Sequence, residues 1–321
     1  MTKLVFILAT TLGSIAVGYL ARIALTRNNL VSDNRALTIS RVMKLAAFFC
    51  VQPIAIISTF WAMSLVAGPV LLFPILGLFS VFVSGGAALL SVRLLQIPDS
   101  RAASVFVAGT FTNVLTFGGL IGFVFFDEPG YSLAQLFTTF ISASYYLVGY
   151  PISGNIARGA SRVLRVEPRA MAEHPLLFVP IGAMAAGAGL NFAGIHRPEF
   201  VGMIVELVVP TVAVLLGMSI GMSLRFSTVN AFKREVGAVM LIKFVILPLV
   251  MVPIGLLLGL PSVGDGTAFK MLVVLSVMPV AFNALVPPAL YGFDLDLANA
   301  AWLVTTAALI VLVPLLSILL T

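Results

Sequence analysis

Met278-Pro-Val-Ala-Phe-Asn-Ala-Leu-Val-Pro-Pro-Ala-Leu-Tyr-Gly-Phe-Asp294 is apolar throughout, yet it cannot run as an uninterrupted membrane helix. It holds Pro279, Asn283, Pro287 and Pro288 where an ordinary span carries only apolar side chains. Proline removes a backbone donor and clashes with the preceding turn, so three prolines and an amide this close together predict a helix that opens at mid-membrane. The freed backbone groups are tolerated only against protein or a water-filled cavity, which makes the stretch a candidate binding site.

The rest of the chain supports a membrane setting. Hydrophobic residues make up 60% of the 321 and charged residues 9%, with a mean hydropathy of +1.14. Those values exclude a soluble domain and indicate a polytopic membrane protein. The excess of 18 Lys+Arg over 12 Asp+Glu is read as loop charge that sets topology, and no nucleic-acid partner is expected. Cys50 is the single cysteine, which rules out a disulfide framework; a small buried apolar side chain is expected there. The first apolar run, Leu4–Leu25, has no A-x-A-like end and is expected to be a retained helix.

With about 20 apolar residues per span, ten spans are expected, near 4–25, 42–65, 69–95, 101–126, 132–156, 175–194, 200–224, 236–259, 268–291 and 296–320. A basic connector, 157–173, carries Arg158, Arg162, Arg165 and Arg169 between the two sets of five. Interruptions recur in the same order in both sets: Gln52-Pro53 and Val209-Pro210, Pro98 and Pro261, Asn113 and Asn283, Pro151 and Pro314. Gly109 falls opposite Pro279, and Gly118-Gly119 opposite Pro287-Pro288. Matching interruptions suggest an internal repeat, and an odd number of spans per half makes it inverted. The expected fold is therefore an all-α polytopic membrane protein of two inverted five-helix repeats, 1–156 and 174–321, with broken, crossing helices 4 and 9.

Lys and Arg are unevenly distributed between the two sides. Fifteen of the 18 fall beside connectors that follow odd-numbered spans, and only Lys3, Arg197 and Lys270 fall opposite. The excess marks the cytoplasmic face, so both termini are expected outside, with a bacterial inner membrane as the location.

Span 4 reads Gly109-Thr-Phe-Thr-Asn-Val-Leu-Thr-Phe-Gly-Gly119. Glycines permit a break, and Thr110, Thr112, Asn113 and Thr116 can bond a ligand or the freed backbone; hydrogen bonding between helices is the alternative. Two broken helices crossing near the midplane would direct half-helix N-termini at one point, an arrangement that favours an anion. Gly118, Gly119, Pro279, Asn283 and Pro287 complete the expected substrate set. Glu206 and Lys243 lie inside predicted spans, so they are candidates for coupling or charge pairing. Arg22 and Lys44 are read as anchors that snorkel to the surface. The acidic pairs Asp127-Glu128 and Asp294/Asp296 are read as solvated turns, His174 and His196 as interfacial, and Gly217–Gly221 as helix packing. No metal-binding, nucleotide-binding or nucleophile–base pattern occurs, so neither cofactor nor enzymatic activity is expected.

Pro279-Val-Ala-Phe-Asn283-Ala, Ala289-Leu-Tyr-Gly292-Phe-Asp294 and Leu297-Ala-Asn-Ala-Ala301 resemble the ninth span and following turn of the auxin efflux carrier family, which includes the plant PIN carriers. Lys243-Phe-Val-Ile-Leu-Pro248 and Pro210–Gly217 resemble its eighth and seventh spans. The resemblance, within the bile/arsenite/riboflavin transporter superfamily, implies a scaffold of spans 1, 2, 6 and 7. It also implies a moving domain of spans 3–5 and 8–10, and an elevator mechanism. It places substrate at Asn113, Pro279 and Asn283; Gly118-Gly119 stand where the family has a proline.

The expected function is secondary transport of a small organic anion, such as a carboxylate or auxin-like acid. The alternatives are a bile-acid/sodium-symporter-like carrier, whose compact members have cytoplasmic termini, and a membrane sensor or channel. The expected partners are that anion, a coupled proton or sodium ion, the lipid bilayer, and a second copy of the chain through the scaffold.

Overall fold

The computed structural model describes residues 2–28, 30–63, 68–157, 175–224 and 229–320. All but Ala157 of the basic connector 157–173 lies outside the described residues, as does His174. Every regular element among the described residues is helical, and six helices are long and apolar enough to cross a membrane. These are α1 (Lys3–Arg27), α2 (Asp33–Ala62), α3 (Gly68–Leu94), α8 (Glu199–Ser223), α9 (Lys233–Leu257) and α12 (Leu295–Leu320). The shorter pieces are α4 (Asp99–Thr110), α5 (Gly119–Thr138), α6 (141–157), α7 (Pro175–Phe192), α10 (Thr267–Ser276) and α11 (Val286–Tyr291).

Local chemistry sets the helix ends. Ser32 and Asp294 cap α2 and α12, accepting from the backbone N–H groups of Arg35 and Leu297. Pro198 precedes α8, and Gly259 and Gly266 take the left-handed conformation in the turn between α9 and α10. A kink at Phe126 and Asp127 divides α5, with Asp127 at φ 54°.

Close packing divides the helices into two groups. α1 packs on α8, and α7 on α2, while α2 also packs on α8. Gly217 and Gly221 of α8 make this approach possible: a Cβ at either would strike Ser14 or the Ile15 carbonyl of α1. Arg22 crosses the same contact, donating to the Met222 and Leu224 carbonyls at the end of α8 and pairing with Asp33. It binds two helices, where a free interfacial anchor was expected. In the second group α3 packs on α4, α9 on α10, and α12 on α4 and α9. Contacts between the groups run mainly through α5, which touches α1, α2 and α8, and through α12 against α1.

Two further expectations are corrected. Cys50 is exposed, because its neighbours Ala47 and Gln52, not Cys50, lie on the inward face of α2. The acidic turns are not simply solvated. Glu128 is half-buried and pairs with Arg197, whose Nη2 donates to Oε1 at 2.9 Å, and Asp294 lies 3.6 Å from Arg101.

Candidate functional site

Both interrupted stretches open, and they open against each other. After α4 the chain is extended at Phe111, Thr112 pairs with Val280 as an antiparallel bridge, and a π-helical turn, Val114–Gly118, leads into α5. After α10, residues 277–281 leave the helix before a 3-10 turn, Phe282–Leu285, leads into α11. The Asn113 N–H donates to the Pro279 carbonyl at 2.8 Å, and the Ala281 N–H to the Phe111 carbonyl at 2.9 Å. Backbone groups released by each break are thus satisfied by the other. The remaining donors are satisfied by the next helix along: Thr112 N–H by the Tyr145 hydroxyl at 2.8 Å, and Val280 N–H by the Thr305 hydroxyl at 3.2 Å.

The break in the first half forms without a proline. Its position at 111–113 precedes Gly118 and Gly119, which lie in the following turn and at the start of α5, packed against Leu275 and Tyr131. In the second half Pro279 lies at the break. Pro287 and Pro288 fall in the first turn of α11, where a missing N–H is harmless.

A cavity of about 100 Å³ lies beside the crossing. Thr112, Asn113 and Thr116 line it from the first broken helix, Ala281, Phe282 and Asn283 from the second, and Tyr145, Ser142 and Lys44 from around it. The first N–H groups of a helix have no intrahelical acceptor and carry a partial positive charge. The π-helical turn that leads into α5 and the 3-10 turn that leads into α11 both line this cavity. Lys44 adds an ammonium, 3.9 Å from the centre of the Phe282 ring. No Asp or Glu is among the described residues that line the cavity. Neither the Asn113 nor the Asn283 side chain has a hydrogen bond among the described residues, so their amides are available to a ligand.

Of the other expected substrate residues, Thr110, Gly118, Gly119, Pro279 and Pro287 are in or near the breaks but do not line the cavity. Lys243 sits behind the crossing, fully buried, with its Nζ donating to Thr112 Oγ1 at 2.6 Å. Glu206 is not brought to the site. It is exposed on the face of α8 that carries Met203 and Leu207, opposite the buried row Val205, Val209 and Val212. Among the described residues it has no ion pair. Glu206→Gln is accordingly expected to leave any pH dependence of ligand binding at this cavity unchanged; a flattened pH profile would restore it as a coupling group.

Sequence reasoning missed Lys44, Tyr145, Gln52 and Gln135. Lys44 lies near a predicted span end, which made snorkelling the simpler account, whereas its side chain lines the cavity. A scan against protein-family models and a search of curated proteins found no match for the chain.

Proposed function

We propose that this protein is a secondary transporter that binds a small organic anion where the two interrupted helices cross. The observation that carries this reading is the cavity lined by the turns that lead into α5 and α11, with the amides of Asn113 and Asn283 unused, Lys44 alongside and no carboxylate in its described lining. Half-helix N-termini directed at one point favour negative charge, as in transporters with discontinuous helices.

The packing supports a ten-span, inverted-repeat architecture. With α4/α5 and α10/α11 each counted as one broken span, span 1 on span 7 mirrors span 6 on span 2, and span 3 on span 4 mirrors span 8 on span 9. The hydroxyls that complete the crossing come from Tyr145 and Thr305, in spans 5 and 10. In this reading α1, α2, α7 and α8 form a scaffold and the remaining helices carry the site past it. The chain is then a carrier of the auxin efflux type, with both termini outside.

The direct test is exchange of radiolabelled carboxylates in proteoliposomes under imposed proton and sodium gradients. Saturable exchange supports a carrier. Its absence across a broad panel overturns the reading, and strict sodium dependence with cytoplasmic termini would favour the sodium-symporter type.

Among the described residues one ion pair joins the two groups of helices. Arg197, just before α8, holds Glu128 of α5 and also donates to the Ser58 carbonyl of α2 at 3.0 Å. Charge-assisted bonds of this kind contribute about 1.5 kcal/mol, so Glu128→Gln is expected to shift the population of this arrangement roughly tenfold. Distances between spin labels on α5 and α8 would report the shift; an unchanged distribution would reduce the pair to a local contact.

A further inference from the structure

A second cavity, of about 110 Å³, adjoins the crossing site and shares Lys44, Phe48, Leu115, Thr138, Ser142 and Asn283 with it. It extends away from the crossing among α2, α5 and α7, where Gln52 and Gln135 border it. These side chains are only 1% and 2% exposed. Among the described residues neither Nε2 nor Oε1 of Gln52 has a hydrogen-bond partner, while the Gln135 amide lies beside the Tyr131 hydroxyl. Buried amides without partners destabilise a fold and are uncommon unless something else takes their bonds. Gln52 on the wall of this cavity directs attention to its contents.

We propose that this second cavity is a selectivity subsite that receives a neutral oxygen function, a hydroxyl or a carbonyl, at the far end of the carboxylate ligand. The inference rests on the anion-transport reading above, with the carboxylate at the crossing. The polar lining offers donors and acceptors together, from the amides of Gln52, Gln135 and Asn283 and the hydroxyls of Thr138, Thr139 and Ser142, and no Asp or Glu borders the cavity among the described residues. With Lys44 as the charged group in that lining, it suits an uncharged polar function and disfavours a cation. Lys44 lies where the two cavities meet, within reach of the carboxylate, which leaves the amides of the far wall for an uncharged group. Leu115, Met184 and Ile181 supply apolar walls for the short linker between the two functions. An acid with a purely apolar tail would displace any water here and leave the amides unpaired. Sites that hydrogen-bond a ligand group reject the analogue lacking it far more strongly than an apolar pocket rejects a change of one methylene.

The test compares uptake of radiolabelled 4-oxopentanoate and 4-methylpentanoate into proteoliposomes. The two acids match in charge and closely in size, and they differ by a carbonyl oxygen in place of a methyl group. Wild type is expected to favour the oxo acid roughly tenfold, about 1.4 kcal/mol, and Gln52→Met is expected to erase that preference. A second readout does not depend on transport. Without ligand, purified Gln52→Met should melt a few degrees above wild type, because an apolar side chain of similar volume replaces an unpartnered amide. The oxo acid should then raise the melting temperature of wild type only. Equal uptake of both acids by a transporting wild type, or a lower melting temperature for Gln52→Met, would overturn the subsite. Failure of the whole carboxylate panel to be transported would instead overturn the anion reading, and the subsite with it.

Discussion

Asn283→Ala is expected to weaken anion uptake by one to two orders of magnitude while leaving the melting temperature of the ligand-free protein unchanged. The amide lines the crossing cavity and has no hydrogen bond to protein among the described residues, so its removal deletes nothing that holds the fold. A hydrogen bond to a charged ligand contributes about 1.5–3 kcal/mol, which corresponds to roughly 10- to 150-fold in affinity. Asn113→Ala should behave alike, since the two residues sit at equivalent places on the two broken helices. Because both amides face one small cavity, the double variant should lose less than the sum of the single losses. Uptake by Asn283→Ala with unchanged affinity would remove the crossing as the binding site. A large fall in melting temperature would assign the residue to the fold instead.

The two breaks differ in how far they could be read from residues. Pro279 announces the second, because proline within an apolar span cannot be carried by an intact helix. The first is signalled on softer grounds, glycines and threonines, and it forms between Gly109 and the Gly118-Gly119 pair. What opens it is long-range: the Pro279 carbonyl takes the Asn113 N–H, and the Tyr145 hydroxyl takes the Thr112 N–H. Neither partner is close in sequence, so no local pattern encodes the break. Asn113 and Asn283 were legible for a simpler reason, since amides at span depth need a partner or a cavity.

Charges at span depth were harder to place. Depth follows from position along an apolar run, but azimuth must be read from periodicity. In α8 the buried residues Val205, Val208, Val209, Val212 and Leu216 recur at helical spacing, and Glu206 falls off that row. The signal was present but faint, because almost every neighbour on the exposed face is also apolar. For Lys44 the ambiguity is physical: a long apolar stem with a charged end suits an interface and a polar cavity equally. In the sequence Gln52 stands out only as the neighbour of Pro53, and only packing reveals that its amide is unpartnered.

The second large effect is expected at Lys243. Its Nζ is fully enclosed, donates to Thr112 Oγ1 at 2.6 Å, and has no carboxylate within ion-pairing distance among the described residues. Thr112 lies between this group and the cavity, and its own N–H is fixed by Tyr145. A structural lysine would act only through that bond, whereas a charged one would also act at a distance on an anion across Thr112. At an effective dielectric of about 20 an attraction between unit charges several ångströms apart is on the order of 1–4 kcal/mol, or roughly tenfold or more in affinity. Lys243→Met removes both the bond and the charge; Lys243→Gln keeps a donor, one bond shorter, and removes the charge. The electrostatic role therefore predicts that both variants lose anion affinity to a similar extent, with retained monodispersity. A purely structural role predicts that Gln restores what Met loses. Carboxylate affinity in the two variants, measured beside ligand-free melting temperature, separates them, and wild-type affinity in Lys243→Gln would exclude a direct action of the charge on the ligand.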